Sequence, residues 1–376
     1  VGDGETARGA DRVEGAPHPR ETETLIGHSE AEQSFLDAFN SGRLHHGWLI
    51  TGPRGVGKAT LAWQIARFLL ATPIAQDDGL FGAPPPPTDL HINPEHPVSR
   101  RMMAGSEPGL FALRRPYDEK AKRLKAQITV DEVRKLKGFF ALSAADGGRR
   151  VVIIDAADDM NVSAANAILK LLEEPPDRTT LLLVSHQPSR LLPTIRSRCR
   201  ELRLAPLNAA DMAQALAATE IDQNVSDPAA LAALSGGSVG EAVRLMQQDG
   251  LKLYADIVKL LSTLPDLSRP HAIALAESAA GRGKEERLDL LLGLFDRALT
   301  RLARTGATGF PPAPEAAAQE AQTFQRLCPS APAARQWAQL AQVQGERLRH
   351  GRAVNVEAGS LLLSSFLALQ DGCPRS

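Results

Sequence analysis

One nine-residue stretch, Gly52-Pro53-Arg54-Gly55-Val56-Gly57-Lys58-Ala59-Thr60, constrains this chain more than any other. It all but completes the phosphate-cradling pattern G-x-x-x-x-G-K-[ST]. Gly52, Gly55 and Gly57 let the backbone turn its N–H groups toward phosphate oxygens, and Lys58 reaches for the β- and γ-phosphates. The pattern fails at its last letter. Ala59 stands where a hydroxyl should hold Mg²⁺, and Thr60 comes one residue late, rotated by about 100° on a helix. A degenerate P-loop with a damaged metal site is therefore expected. Its flanks agree, with apolar Trp48-Leu49-Ile50 reading as a strand before it and 61–70 as an amphipathic helix after it.

The 376 residues suffice for two or three domains with separate cores. With 43 basic and 44 acidic residues, no global field draws the chain onto nucleic acid. Three scattered cysteines, Cys199, Cys328 and Cys373, make no metal-ligand pair and suit a reducing compartment. No run of 18 apolar residues and no signal-peptide pattern appears, so a soluble cytoplasmic protein is expected.

Along the chain, residues 1–22 read as a disordered leader and 29–40 as a helix burying Phe35, Leu36 and Phe39. Leu25-Ile26-Gly27-His28 should lie near the P-loop. His45-His46 reads as a surface turn rather than a metal pair. Residues 72–98, with their proline run, read as a loop, and His91 and His96 there lack a cysteine for zinc. Residues 100–125 carry eight basic residues against three acids, an excess suited to DNA phosphates or an acidic partner but expected first of all as solvated surface. Thr129-x-x-Glu132 opens another helix as a capping box.

Arg150-Val151-Val152-Ile153-Ile154-Asp155 reads as a buried parallel strand delivering a carboxylate at its C-terminal end. This Walker B strand is also degenerate, because Ala156 follows the aspartate; Asp158 and Asp159 come too late to substitute without an unusual turn. A helix over 163–174 is stopped by Pro175-Pro176. Strand Leu181-Leu182-Leu183-Val184 ends at Ser185-His186-Gln187, and an arginine-rich run follows over 192–200. Alternating strands and helices from 48 to 204 predict a parallel α/β core with its ligand site at the strand ends. Beyond 205 only helical patterns appear, ending over 358–370 with Leu361, Leu362, Phe366 and Leu369 on the apolar side.

The run Asn166-Ala167-Ile168-Leu169-Lys170-Leu171-Leu172-Glu173-Glu174-Pro175-Pro176, followed by Ser197-Arg198-Cys199, resembles the bacterial clamp loader family of AAA+ proteins. So does the approach Gly42-Arg43-Leu44-His45-His46-Gly47-Trp48. The specific motifs cover 25–205. The resemblance implies an α/β AAA+ P-loop domain at 23–205, an all-α lid at 206–248 and an all-α collar at 249–376 that oligomerises. It implies a five-membered ring with delta and gamma/tau subunits, acting on the sliding clamp and primed DNA in replication.

ATPases of that family keep a hydroxyl after the P-loop lysine, a glutamate after the Walker B aspartate, and an arginine in a lid Gly-Ser-x-Arg motif. Those places hold Ala59, Ala156 and Gly240, the sensor position falls at His186, and the Walker B acid is Asp155. The resemblance therefore implies a subunit with no ATPase of its own, no required cofactor or metal, and at most weak ATP or ADP binding through Lys58 and the glycines. Arg198 is intact and resembles an arginine finger acting on a neighbouring subunit. Two rivals stand beside this reading. One is an autonomous AAA+ ATPase using Thr60 and Asp158 as displaced substitutes. The other is a gamma/tau-like scaffold of a non-replicative complex.

Overall fold

A computed structural model describes residues 15–73, 85–120, 123–142, 148–219, 227–281, 283–354 and 356–373. The chain divides into two compact units, residues 1–221 with 237–240, and 222–236 with 241–376. The lid expected at 206–248 is neither of these units. Its first helix and the 237–240 segment belong with the α/β unit, where Leu207 N donates to Gly237 O at 3.0 Å.

The first unit contains α1 (Ser29–Asn40), β1 (Gly47–Thr51), α2 (Lys58–Ala71), α3 (Pro97–Ala104), β2 (Leu110–Arg114), the hairpin β3 (Tyr117–Asp118) and β4 (Arg123–Leu124), and α4 (Val130–Leu142). It continues with β5 (Arg150–Asp155), α5 (Val162–Glu173), β6 (Thr179–Ser185), α6 (Pro193–Arg196), β7 (Arg200–Arg203) and α7 (Ala209–Ala217). Five parallel strands pair in the order β2-β5-β6-β1-β7. Successive side chains point to opposite faces, so each strand feeds two cores. Val151 and Ile153 pack with Trp48, Ile50, Leu61 and Ile65 on one face. Val152 and Ile154 pack with Leu49, Leu136, Ile168 and Leu172 on the other. Because β5, β6 and β1 are neighbours, Asp155, Ser185 and Thr51 end side by side, which places the P-loop at the C-terminal rim.

Several expectations need correction. Residues 1–14 lie outside the described residues, but 15–22 are packed rather than disordered. His18 is buried, its ring edge-on to Trp63 at 5.8 Å, and Arg67 Nη2 donates to Arg20 O at 2.6 Å. The physical reason is α2, which offers an aromatic face and a guanidinium that are buried beneath this segment. The basic stretch 100–125 holds the sheet's edge strand β2, a strand the composition hides. Part of its charge is neutralised locally, Arg101 by Glu107 at 2.8 Å, Arg115 by Asp159 at 3.1 Å and Arg100 by Glu95. Lys122 lies outside the described residues.

The second unit is helical: α8 (Pro228–Ser235), α9 (Val239–Gln247, whose first two residues stay with the first unit), α10 (Gly250–Ser262), α11 (Arg269–Ala279), α12 (Glu285–Thr308), α13 (Glu320–Leu327), α14 (Ala331–Ala353) and α15 (Ala358–Gly372). The long α12 and α14 pack along each other, and α15 lies against α11 and α14. Phe295, Phe324, Trp337 and Phe366 are fully buried. Among the described residues no strand follows Arg203, as the helical pattern predicts, and no helix is long and apolar enough to cross a membrane.

Candidate functional site

The P-loop connects β1 to α2, and its glycines are sterically required where the chain closes on itself. A Cβ on Gly52, at φ +143°, would strike the Leu204 carbonyl, and Gly57 caps α2 at φ +103° against Leu25. The predicted approach of 25–28 is realised, with His28 buried and its Nε2 donating to Val56 O at 2.7 Å. Lys58 is 3% exposed, and its ammonium donates to Gly52 O at 2.8 Å and to Pro53 O. Burial pulls its pKa down to about 8, against the opposing pull of Asp155 and Asp158.

Ala59 and Thr60 are the second and third residues of α2, so the helical offset that separates Thr60 from the metal position is real. Gly240 comes to the P-loop, its N–H donating to Gly55 O at 3.3 Å, with Ser238 beside Gly55. Residue 240 therefore reaches the P-loop, and as a glycine it brings no charge there. The Lys58 ammonium rests on the loop's own carbonyls, and Ala59, unlike a serine or threonine, brings no hydroxyl to this end of α2.

Asp158 has a role the sequence did not disclose. It accepts from Ser185 Oγ at 2.6 Å, from Gln187 N at 3.1 Å and from His186 N, clamping the end of β6. The two-residue delay after Ala156 is a one-turn 3₁₀ helix at Ala157–Asp159, which turns the carboxylate back to β6. His186 is held beside it, pushed down to about 4 by burial and by the cations Lys58 and Arg54, with Asp158 pulling the other way. Its imidazole is neutral at pH 7.

Acidification should therefore weaken this unit. His28 and His186 resist protonation when folded, while the unfolded chain takes the proton near pH 6.5. Their contribution is full above 6.5 and declines as pH falls below it, a loss that for His186 runs down to about 4. Thermal melts across that window should show the decline, with a shallower slope in His186→Asn; parallel slopes would refute it.

Arg198 lies at the other end of the sheet. It follows α6 and precedes β7, level with the start of β1, since Trp48 pairs with Arg200. The five residues of β1, roughly 16 Å of strand, separate it from the P-loop. Gly47 lets the Arg198 backbone close on β1, where a Cβ would meet Arg198 O at 3.1 Å. The guanidinium, 40% exposed, pairs with Glu173 Oε1 at 3.0 Å and donates to Thr194 O at 3.1 Å. Burial pushes the Cys199 thiol up to about 12, which keeps it protonated and unreactive.

The histidine pairs form no metal centre. His46 Nε2 donates to Leu172 O at 2.8 Å, Gly47 N donates to His45 Nδ1 at 3.1 Å, and His96 caps α3 by accepting from Val98 N. Among the described residues no cluster of His, Cys, Asp and Glu has a metal-binding arrangement.

Comparison with known proteins fits this geometry. A family model described as "DNA polymerase III, delta subunit" matches residues 27–208. DNA polymerase III subunit delta' of Pseudomonas aeruginosa is 41% identical over 57% of this chain and 60% of its own length. Subunit delta' of Escherichia coli is 35% identical over 61% of this chain and 63% of its own. That of Yersinia pestis is 33% identical over 62% of this chain and 67% of its own. The chain thus spans about three fifths to two thirds of the length of these three delta' relatives. With the P-loop, the Walker B strand and the Ser-Arg-Cys turn all inside the matched residues, the chain belongs to the DNA polymerase III delta' family.

Proposed function

We propose that this chain is a clamp loader subunit of DNA polymerase III that gives catalysis to a neighbour and performs none itself. In this reading it acts in the cytoplasm as a stator in a ring with delta and gamma/tau subunits. It helps open the sliding clamp and place it on primed DNA. The helical segments after 205 serve as lid and oligomerising collar.

The observation that carries this reading is the separation of Arg198 from its own P-loop by the length of β1. A cation at that end cannot serve the chain's own nucleotide, which supports its acting on another subunit's. Loss of a general base costs about 10²–10⁴ in rate, and Ala59 and Gly240 remove a metal ligand and a lid charge as well. The rival that recruits Asp158 as a displaced base is disfavoured, because that carboxylate is already committed to three donors on β6 and its following loop.

The test is ATP turnover by the isolated chain beside a loader reconstituted with delta, gamma/tau, clamp and primed DNA. A silent isolated chain and an active loader are expected. Turnover by the isolated chain that vanishes in Lys58→Ala would instead install the autonomous ATPase. Retained weak binding of ATP or ADP through Lys58 and the loop amides is a separate expectation. Calorimetry should show a shallow isotherm for the wild type that disappears in Lys58→Ala, and no heat from either would remove it.

A further inference from the structure

The guanidinium of Arg198 does not project freely. It is held within its own subunit by Glu173, the last residue of α5, and by the Thr194 carbonyl of α6. Both holders are fixed by the fold. Pro175-Pro176 ends α5 just beyond Glu173, and His46 Nε2 ties the Leu172 carbonyl to the start of β1. Gly47, with no Cβ, lets Leu172 and the Arg198 backbone sit against the same strand residue. Carboxylate and guanidinium are therefore presented to each other by two anchored backbones.

We propose that Glu173 is a latch, a positioning residue that stores Arg198 in its own subunit until a triphosphate bound to the neighbouring subunit takes the guanidinium from it. The inference rests on the reading of Arg198 as a finger acting in trans. The chemistry suits an exchange. Glu173 and Arg198 are 43% and 40% exposed, so their pair is solvent-screened and weak. A triphosphate carries more charge and offers the guanidinium fork paired oxygens. Binding of the finger to nucleotide then competes with the latch, and the latch raises the ATP concentration the neighbouring site requires. Exposed ion pairs change equilibria by about 1.5- to 5-fold, which sets the size of the effect.

The experiment is ATPase kinetics of the reconstituted loader with clamp and primed DNA, carrying wild type, Glu173→Gln, Arg198→Ala or both substitutions. Glu173→Gln should lower the KM for ATP about 2- to 5-fold, with the effect falling on KM rather than kcat, and Glu173→Asp should lie between it and the wild type. In the Arg198→Ala background Glu173→Gln should do nothing further, because the latch has no other target. An unchanged KM in Glu173→Gln beside a slow Arg198→Ala loader would overturn the latch and leave the finger standing. An effect of Glu173→Gln that persists without Arg198 would also overturn it. Wild-type turnover in Arg198→Ala would overturn the finger and the latch together.

Discussion

Arg198→Ala should abolish hydrolysis at the one loader site next to this subunit and leave the other sites working. Fingers of this kind stabilise the transition state of phosphoryl transfer by about 10³- to 10⁵-fold, roughly 4–7 kcal/mol. The loader's total turnover should then drop by the share that site contributes, and a single-turnover assay should resolve the slow fraction. Arg198→Lys should fail nearly as badly, since an ammonium lacks the planar fork that spans two phosphate oxygens. Folding should be untouched, because what is lost among the described residues is the half-exposed pair with Glu173, a contact of about 0–1 kcal/mol, and an exposed hydrogen bond to Thr194 O. An Arg198→Ala chain that melts like the wild type and supports full turnover at every site would sink the proposed function.

Glu320→Ala should destabilise the helical unit more than any surface change. The Glu320 carboxylate is 0% exposed. Its Oε1 accepts from Tyr254 Oη at 2.6 Å and Arg301 Nε at 2.7 Å, and its Oε2 from Arg301 Nη2 at 3.0 Å and Ala316 N at 2.6 Å. One side chain thus pins α10, α12 and the turn into α13. Burial and the adjacent carboxylate both drive the Tyr254 phenol up, so it stays a donor at any working pH. Removing Glu320 strands a largely buried guanidinium along with the phenol and an amide, at a cost of about 3–5 kcal/mol. Hydrogen exchange over α10, α12 and α13 should accelerate more than a hundredfold. The apolar triple substitution Glu320→Leu, Arg301→Met, Tyr254→Phe should recover much of that loss, since it leaves no charge unpaired. Protection in Glu320→Ala equal to the wild type would show that the network contributes nothing net.

The central strands β1, β5 and β6 are legible in the sequence because a strand buried on both faces must be a continuous apolar run, as in Val151-Val152-Ile153-Ile154. The edge strand β2 is not, because Leu110–Arg114 is only half-covered and sits inside a basic stretch. Residues 15–22 misled for a similar reason. Their composition carries little apolar area, and what holds them includes the Trp63 ring and the Arg67 guanidinium on α2. Asp158 reads as an acid near the Walker B strand, yet its commitment to β6 depends on a turn no local pattern announces.

Where the lid position Gly240 and the reading of Arg198 rest on the family resemblance, the sequence by itself determined the α/β class, the glycine-rich turn into Lys58, and the absence of a hydroxyl at Ala59 and of a glutamate at Ala156. Each of these is a matter of residue type at fixed spacing within one or two elements, where local sterics and burial periodicity leave few alternatives. Only the tertiary structure decided that Arg198 stands at the opposite end of the sheet from Lys58, that Glu173 holds it there, that Asp158 is a clamp and not a base, and that Glu320 gathers four donors. These depend on strand order and on contacts between residues far apart in the chain. The strand order follows from how separately formed elements bury their faces against one another, which no single stretch of sequence contains.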